Sequence, residues 1–194
     1  MRAAITTGPI EKRSIHSDGR IEEVWPLPAE RDFLFALLTE LFDAHWDKIT
    51  WGPMIPGAAY ELKCVAKPNK ITLSELGYFT AHWGERGGHF HLCIGAGPKM
   101  DPEQARIRST TTVELVRRLD AEDMPISWSL RMKNGVGDPQ LTIYLPNPHL
   151  GPDDWANEVP DWDRLALWED LFPRLTGHPT DGRDRLGKGY KKSK

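Results

Sequence analysis

The chain has few cysteines and no long apolar run. Only Cys64 and Cys93 occur among its 194 residues, too few for the disulfide framework of a small secreted protein. No segment approaches the roughly 18 consecutive apolar residues of a membrane-spanning helix, and the first residues lack the apolar core of a signal peptide. These absences predict a cytoplasmic protein that has free thiols and no membrane partner.

Motifs for nucleotide chemistry are missing as well. The sequence contains no Gly-rich phosphate loop and no dinucleotide fingerprint. Its formal net charge of −3 argues against nucleic acid as the main partner, because nucleic-acid binding relies on an excess of basic residues. With 39% hydrophobic and 27% charged residues, the composition is that of a globular domain of ordinary size.

The chain divides into three predicted parts, of which the last has an excess of basic residues. We predict an N-terminal extension over residues 1–25, a single domain over residues 26–175 and a basic flexible tail over residues 176–194. The tail has six basic and two acidic residues, four glycines and no apolar periodicity. Such a segment cannot bury enough surface to fold alone, so we expect it to be solvated. A hook for nucleic acid or for an acidic partner is the alternative.

Hydrophobic periodicity predicts the elements. Helical spacing of apolar residues predicts a helix over residues 29–48, and a period of two predicts strands over 58–65, 71–83 and 89–95. Helix-start signals at Asp101 and Pro102 predict a second helix that runs to about Leu119. A start at Thr111, which forms a capping-box pattern with Glu114, is the alternative. The arginines of this helix, among them Arg117, are expected on the solvated surface.

A hairpin of residues 126–132 and 140–145 follows, and the last helix starts near Trp162 and is limited by Pro173. The predicted order is therefore α-βββ-α-ββ-α. We expect an α+β fold in which one mainly antiparallel sheet of about five strands is packed by helices.

A candidate metal site is the most informative local pattern. In a strand, alternate side chains share a face, so the run 89–95 places His89, His91 and Cys93 in one row. A hairpin through residues 84–88 would bring His82 beside them. Imidazole and thiolate ligands favour zinc, iron or copper, and we predict that these four residues form the site. For His45, on the apolar stripe of the first helix, a core position and a ligand role are both open.

A metal site with an open coordination position could support catalysis. The nearest acid–base candidates are Glu61, Tyr78 and Tyr144, and Arg131 could anchor an anionic small-molecule substrate. A hydrogen-bonded polar sheet face is the alternative interpretation of the row of histidines and Cys93. Cys93 as a nucleophile ranks below both, because no helix N-terminus is available to lower its pKa.

A binding protein without enzymatic activity is the alternative function. Over residues 29–175 the predicted element order resembles that of type III secretion chaperones. This resemblance implies a small acidic cytoplasmic protein that forms a homodimer and binds an extended protein partner along apolar grooves.

Overall fold

A computed structural model of the chain describes residues 12–16, 19–55, 57–85, 87–151, 153–187 and 189. Residues 1–11 of the predicted N-terminal extension, and Lys188 and residues 190–194 of the predicted tail, lie outside these ranges. None of the helices within these ranges is both long and apolar enough to cross a membrane.

The described residues form strands and helices in an order that starts with strands. The strands are β1 (Lys12–Ile15), β2 (Ile21–Leu27), β3 (Thr50–Gly52), β4 (Met54–Ile55), β5 (Ala58–Ala59), β6 (Leu62–Lys63), β7 (Lys70–Leu73), β8 (Tyr78–His82), β9 (His89–Cys93), β10 (Thr110–Leu119), β11 (Pro125–Asn134) and β12 (Pro139–Tyr144). The α-helices are α1 (Arg31–Ala44), α2 (Pro102–Arg108) and α3 (Ala166–Thr176), and 3-10 helices span Trp162–Leu165 and Gly182–Arg185.

Three sheets are present among the described residues, so the predicted single sheet of about five strands is wrong. The largest has seven strands in the order β1-β2-β10-β11-β12-β3-β6, and the smaller ones are β4-β5 and β7-β8-β9. The registers of the paired strands are antiparallel. The α+β class with antiparallel sheets is correct, but the predicted order α-βββ-α-ββ-α is not, and the resemblance to type III secretion chaperones loses its basis.

The largest error concerns residues 110–119, which were expected in the second helix. Helix α2 ends at Arg108, and Thr110 begins the ten-residue strand β10. The predicted start is correct, since the Asp101 side chain accepts hydrogen bonds from the backbone N–H groups of Glu103 and Gln104. Three successive β-branched threonines then favour the extended conformation over a helix interior.

The chain divides into two compact units. The first comprises residues 1–27, 114–130 and 144–194, and the second comprises residues 28–113 and 131–143. Each unit has its own aromatic cluster, and each is described separately below.

In the second unit, α1 packs on the apolar face of the three-stranded sheet β7-β8-β9. Phe42 of α1 is fully buried, and its ring lies 5.7 Å from that of Phe79, 6.0 Å from that of Phe90 and 5.1 Å from that of Trp51. Alternation along β8 and β9 turns Phe79, Phe90 and Leu92 toward this cluster, so the intervening residues lie on the other face.

In the first unit, α3 packs against β2. Trp25 of β2 contacts Phe172 at a centroid distance of 4.8 Å and Trp168 at 6.0 Å. Helix α3 continues past Pro173, contrary to our expectation, and ends where Gly177 adopts a left-handed conformation with φ of 75°. Gly tolerates this conformation without steric cost, and it is the usual helix terminator.

The boundaries predicted at residues 25 and 175 remain a prediction. Two strands, however, occupy the described part of the N-terminal segment. In the C-terminal segment, residues 182–185 form a 3-10 helix and the Asp184 side chain is 1% exposed.

Candidate functional site

Three histidines lie together on the face of the β7-β8-β9 sheet that is opposite to the aromatic cluster. The antiparallel register pairs His82 with His89 and Thr80 with His91. Directly paired residues share a face, and so do residues two apart in one strand. His82, His89 and His91, here called the histidine cluster, therefore lie on one face, with His82 directly opposite His89.

The rings of the histidine cluster are close neighbours. The centroid of His89 lies 4.6 Å from that of His91 and 5.7 Å from that of His82. His89 and His91 are exposed, whereas His82 is half-buried. The cluster is thus open to solvent on one side and supported by the sheet on the other.

A hydrogen bond orients one of these rings. The Thr80 hydroxyl oxygen lies 2.8 Å from Nδ1 of His91, and a hydroxyl can serve as donor or acceptor here. When Nδ1–H of His91 donates to Thr80, the Nε2 lone pair remains available to a ligand. This supporting contact resembles the outer hydrogen bonds that orient metal-binding histidines.

The cluster also favours the neutral form of His91. Partial burial lowers the pKa of His91, and the neighbouring His89 and His82 lower it further because a second positive charge nearby is unfavourable. A neutral imidazole can coordinate a metal, whereas a protonated one cannot.

Cys93 lies at the end of the same row, but it has a different environment. It pairs with Tyr78 in the register and is 4% exposed. Its sulfur lies 3.9 Å from the hydroxyl of Ser109, and the Thr110 hydroxyl donates to its backbone carbonyl at 3.0 Å. The junction between α2 and β10 therefore covers Cys93, whereas His89 and His91 face solvent.

No preassembled metal centre results from this arrangement. Within the described ranges, no group of three or more His, Cys, Asp or Glu side chains is arranged to hold a metal ion. The rings of three of the four predicted ligands are close neighbours, whereas the fourth, Cys93, is covered. The metal role of His82, His89, His91 and Cys93 remains a prediction.

Of the predicted acid–base and anchoring residues, Tyr78 lies in the same three-stranded sheet. Its hydroxyl accepts a hydrogen bond of 3.4 Å from Nη1 of Arg108. Glu61 is exposed between β5 and β6, Arg131 lies in β11, and Tyr144 ends β12. Elements outside the histidine-bearing sheet thus carry three of the four residues, and their catalytic role remains a prediction.

A buried charge cluster in the first unit was not predicted from the sequence. Arg117 of β10, expected on the surface, is 2% exposed. Its Nε donates to Glu23 at 2.7 Å and its Nη1 to Asp184 at 3.0 Å, and its guanidinium carbon lies 5.2 Å from the centroid of the Trp25 ring. Two buried carboxylates and an aromatic face thus compensate the buried cation.

Further hydrogen bonds complete this cluster. The indole N–H groups of Trp128 and Trp168 each donate to the Asp184 carboxylate at 2.9 Å, and Arg183 donates to Glu23 at 3.1 Å. Burial opposes ionisation of Asp181, but hydrogen bonds from Arg183 and the positive charges of Arg117 and Arg183 outweigh it and lower the pKa of Asp181. We interpret the cluster as structural, because its polar groups satisfy one another.

His149 is a second buried polar group in the first unit. It is 2% exposed, its ring stacks at 6.2 Å from that of Trp128, and Trp162 approaches edge-on at 5.6 Å. Side chains at Gly187 or Gly189 would crowd the imidazole. Burial lowers the pKa of His149, although the Pro125 carbonyl and the charge of Asp120 act in the opposite direction.

Several solved structures are similar to this chain, among them the following two. A protein from Erwinia carotovora is 16% identical and matches with a TM-score of 0.50, covering 78% of this chain and 76% of that one. ChuX is 17% identical with a TM-score of 0.49, covering 81% of this chain and 78% of that one. At this level of identity the Erwinia protein shows a related fold and nothing about function. No curated protein matches the chain.

One family model matches most of the chain. The match covers residues 11–177 and includes the histidine cluster, Arg117 and Glu23. The chain therefore belongs to the family of unknown function DUF7676.

Proposed function

We propose that the chain binds a divalent transition-metal ion through the histidine cluster. One observation carries this proposal: the register pairs His82 with His89 and places His91 two residues further on, with ring centroids 5.7 and 4.6 Å apart. Two or three imidazoles at this spacing are within reach of one ion after side-chain rotation, and exposed side chains change rotamer within nanoseconds.

The chemistry of the donors suits zinc, copper or iron. These ions accept imidazole nitrogen as a ligand, whereas magnesium and calcium prefer oxygen. Burial and the other two histidines of the cluster lower the pKa of His91, which favours the neutral ring that a metal needs. The bond to Thr80 orients this ring. Cys93 is left out of the proposed site because Ser109 and Thr110 cover it. Solvent molecules would complete the coordination.

Calorimetric titration of untagged protein with Zn²⁺, and separately with Cu²⁺, tests the proposal. We expect one equivalent to bind, and His89→Ala or His91→Ala to abolish this binding. His45→Ala is the control, since His45 lies at the end of α1, and it should bind as the native chain does. Unchanged binding by the His91→Ala protein would refute the assignment.

A second pair of variants tests the role of Thr80. Thr80→Val removes the hydroxyl beside His91, and outer-shell changes of this kind lower metal affinity by roughly 10–100-fold. Thr72 is the cross-strand partner of Thr80 in β7, and Thr72→Val provides a matched control. Equal affinities for the two variants would show that the hydrogen bond does not support the site.

The reactivity of Cys93 separates this site from the four-ligand set that the sequence predicts. A buried thiol outside the site should be alkylated slowly both with and without Zn²⁺. Strong protection by the metal would instead restore Cys93 as a ligand.

A further inference from the structure

An exposed segment follows the β4-β5 hairpin in the second unit. The described residues 57–63 are all exposed, and Val65 is 98% exposed. Tyr60 and Leu62 are large apolar side chains within this run. Exposed apolar residues concentrated in a short stretch of chain indicate an interaction surface.

This segment contains the edge of the seven-stranded sheet. Strand β6 ends the strand order and pairs with β3, with Leu62 opposite Trp51. A sheet edge presents backbone groups that can pair with a strand from another molecule. Natural edges are often blocked by proline or by charged side chains. Residues 58–65 contain no proline, and their charges, Glu61 and Lys63, are of opposite sign.

The backbone direction shows which residues would form such pairs. The Tyr60 N–H donates to the Pro53 carbonyl at 3.0 Å, so the backbone groups of Tyr60 point toward the β3 side. Backbone groups alternate in direction along a strand. Those of Glu61 and Lys63 therefore point to the side opposite β3.

The side chains of this edge are complementary to a second copy of themselves. In an antiparallel pair centred on Leu62, Leu62 lies opposite its own counterpart, and Glu61 lies opposite Lys63 of the other molecule. The two-fold axis repeats this Glu–Lys pair, so two attractive cross-strand contacts form. A shift of the centre to Glu61 or Lys63 would place like charges opposite each other.

The apolar residues agree with the same register. Leu62 shares a face with Trp51 because the two are paired, and the Trp51 indole N–H donates to the Cys64 sulfur at 3.3 Å on that face. Alternation adds Tyr60 to this face. Pairing about Leu62 would therefore cover Tyr60 and Leu62 on one face and join Glu61 to Lys63 on the other.

We propose that the chain forms a two-fold symmetric homodimer through antiparallel pairing of its β6 edges, with Leu62 on the symmetry axis. The partner is a second copy, because the charge pattern of this edge is complementary to itself. The interface and the proposed metal site have no residue in common, so either proposal can fail without the other.

Sedimentation equilibrium across a wide range of concentrations tests this proposal with charge reversal. Glu61→Lys and Lys63→Glu each replace two attractive pairs by two repulsive ones, and we expect each to weaken the dimer about tenfold or more. The double variant E61K/K63E restores both pairs and should recover the native dissociation constant. Glu85→Lys has the same charge change as Glu61→Lys. Glu85 is exposed and lies between β8 and β9, so this variant should leave association unchanged.

The possible results of this experiment either support or overturn the proposed dimer. Weakening by the single variants and recovery in the double variant support the proposed register. A native chain that is monomeric at all concentrations overturns the proposal, and so does a dimer that Glu61→Lys leaves intact. Circular dichroism of each variant establishes that it is folded, which Glu61→Lys should be, because Glu61 is exposed.

Discussion

Replacement of Asp184 by Asn gives the most direct test of the buried charge cluster. The Asp184 carboxylate accepts hydrogen bonds from Arg117, Trp128 and Trp168. Asn keeps the shape of the side chain, but it removes the negative charge and turns one acceptor into a donor group. At least one of the three donors then loses its partner, and the Arg117 cation loses one of its two buried counter-charges.

The expected loss is large because the group is buried. Removal of one partner from a buried ion pair costs about 3–5 kcal/mol, and for a chain of this size each kcal/mol shifts Tm by roughly 2–4 °C. We therefore expect Asp184→Asn to lower Tm by about 6–20 °C. The Arg117–Glu23 contact remains in the variant, which places the expected value in the lower half of this range.

An exposed ion pair provides the control. Asp170 and Arg174 lie one turn apart on α3, and their side chains are 65% and 44% exposed. Such pairs contribute about 0–1 kcal/mol, so Asp170→Asn should change Tm by only a few degrees. Thermal unfolding can be monitored by the fluorescence of the buried tryptophans, with circular dichroism as a second probe. Equal shifts for Asp184→Asn and Asp170→Asn would refute the argument that burial gives the cluster its stabilising effect.

Two other predictions concern single residues. The pKa of His149 is lower in the folded chain than its ordinary value, so the unfolded chain binds the proton more readily. The free energy of unfolding in urea should therefore be highest above about pH 6.5 and should decline as the pH falls below it. The His149→Gln variant should show a weaker decline, and an unchanged pH dependence would contradict this. Gly77 and Gly88 both have positive φ, but a side chain at Gly77 would overlap the Gly95 carbonyl, whereas Gly88 faces open space. Gly88→Ala should therefore cost about 1–2 kcal/mol and Gly77→Ala clearly more, as measured by urea unfolding; similar losses would contradict the crowding at Gly77.

Elements with a strong local pattern could be predicted from the sequence. The apolar stripe of α1 and the turn residues at 134–138 between β11 and β12 specify their structure within a short window. The glycines of residues 84–88 likewise mark the turn that pairs His82 with His89. Local periodicity and turn chemistry were sufficient here because neighbouring residues determine both.

Strand β10 could not be recognised in this way. Its burial does not alternate, since the three successive residues Leu115, Val116 and Arg117 are all buried. The strand therefore lacks a clear period of two. Arg117 is buried because Glu23 and Asp184, 94 and 67 residues away, supply its counter-charges. No local window contains that information. The same holds for Cys93, since the burial of its sulfur depends on Ser109, 16 residues away.

The separation of Glu23, Arg117 and Asp184 along the chain has a consequence for biosynthesis. The ribosome delivers Glu23 first, Arg117 after 94 more residues and Asp184 after a further 67, while the first part of the second unit emerges in between. During this interval the Glu23 carboxylate and the Trp25 indole of β2 lack their packing partners. The apolar side chains of β2 are then accessible to chaperones. The second unit can acquire most of its contacts during translation. The first unit can close only after Asp184 has left the exit tunnel, so slow translation between residues 117 and 184 would prolong the period in which the nascent chain is vulnerable to aggregation and proteolysis.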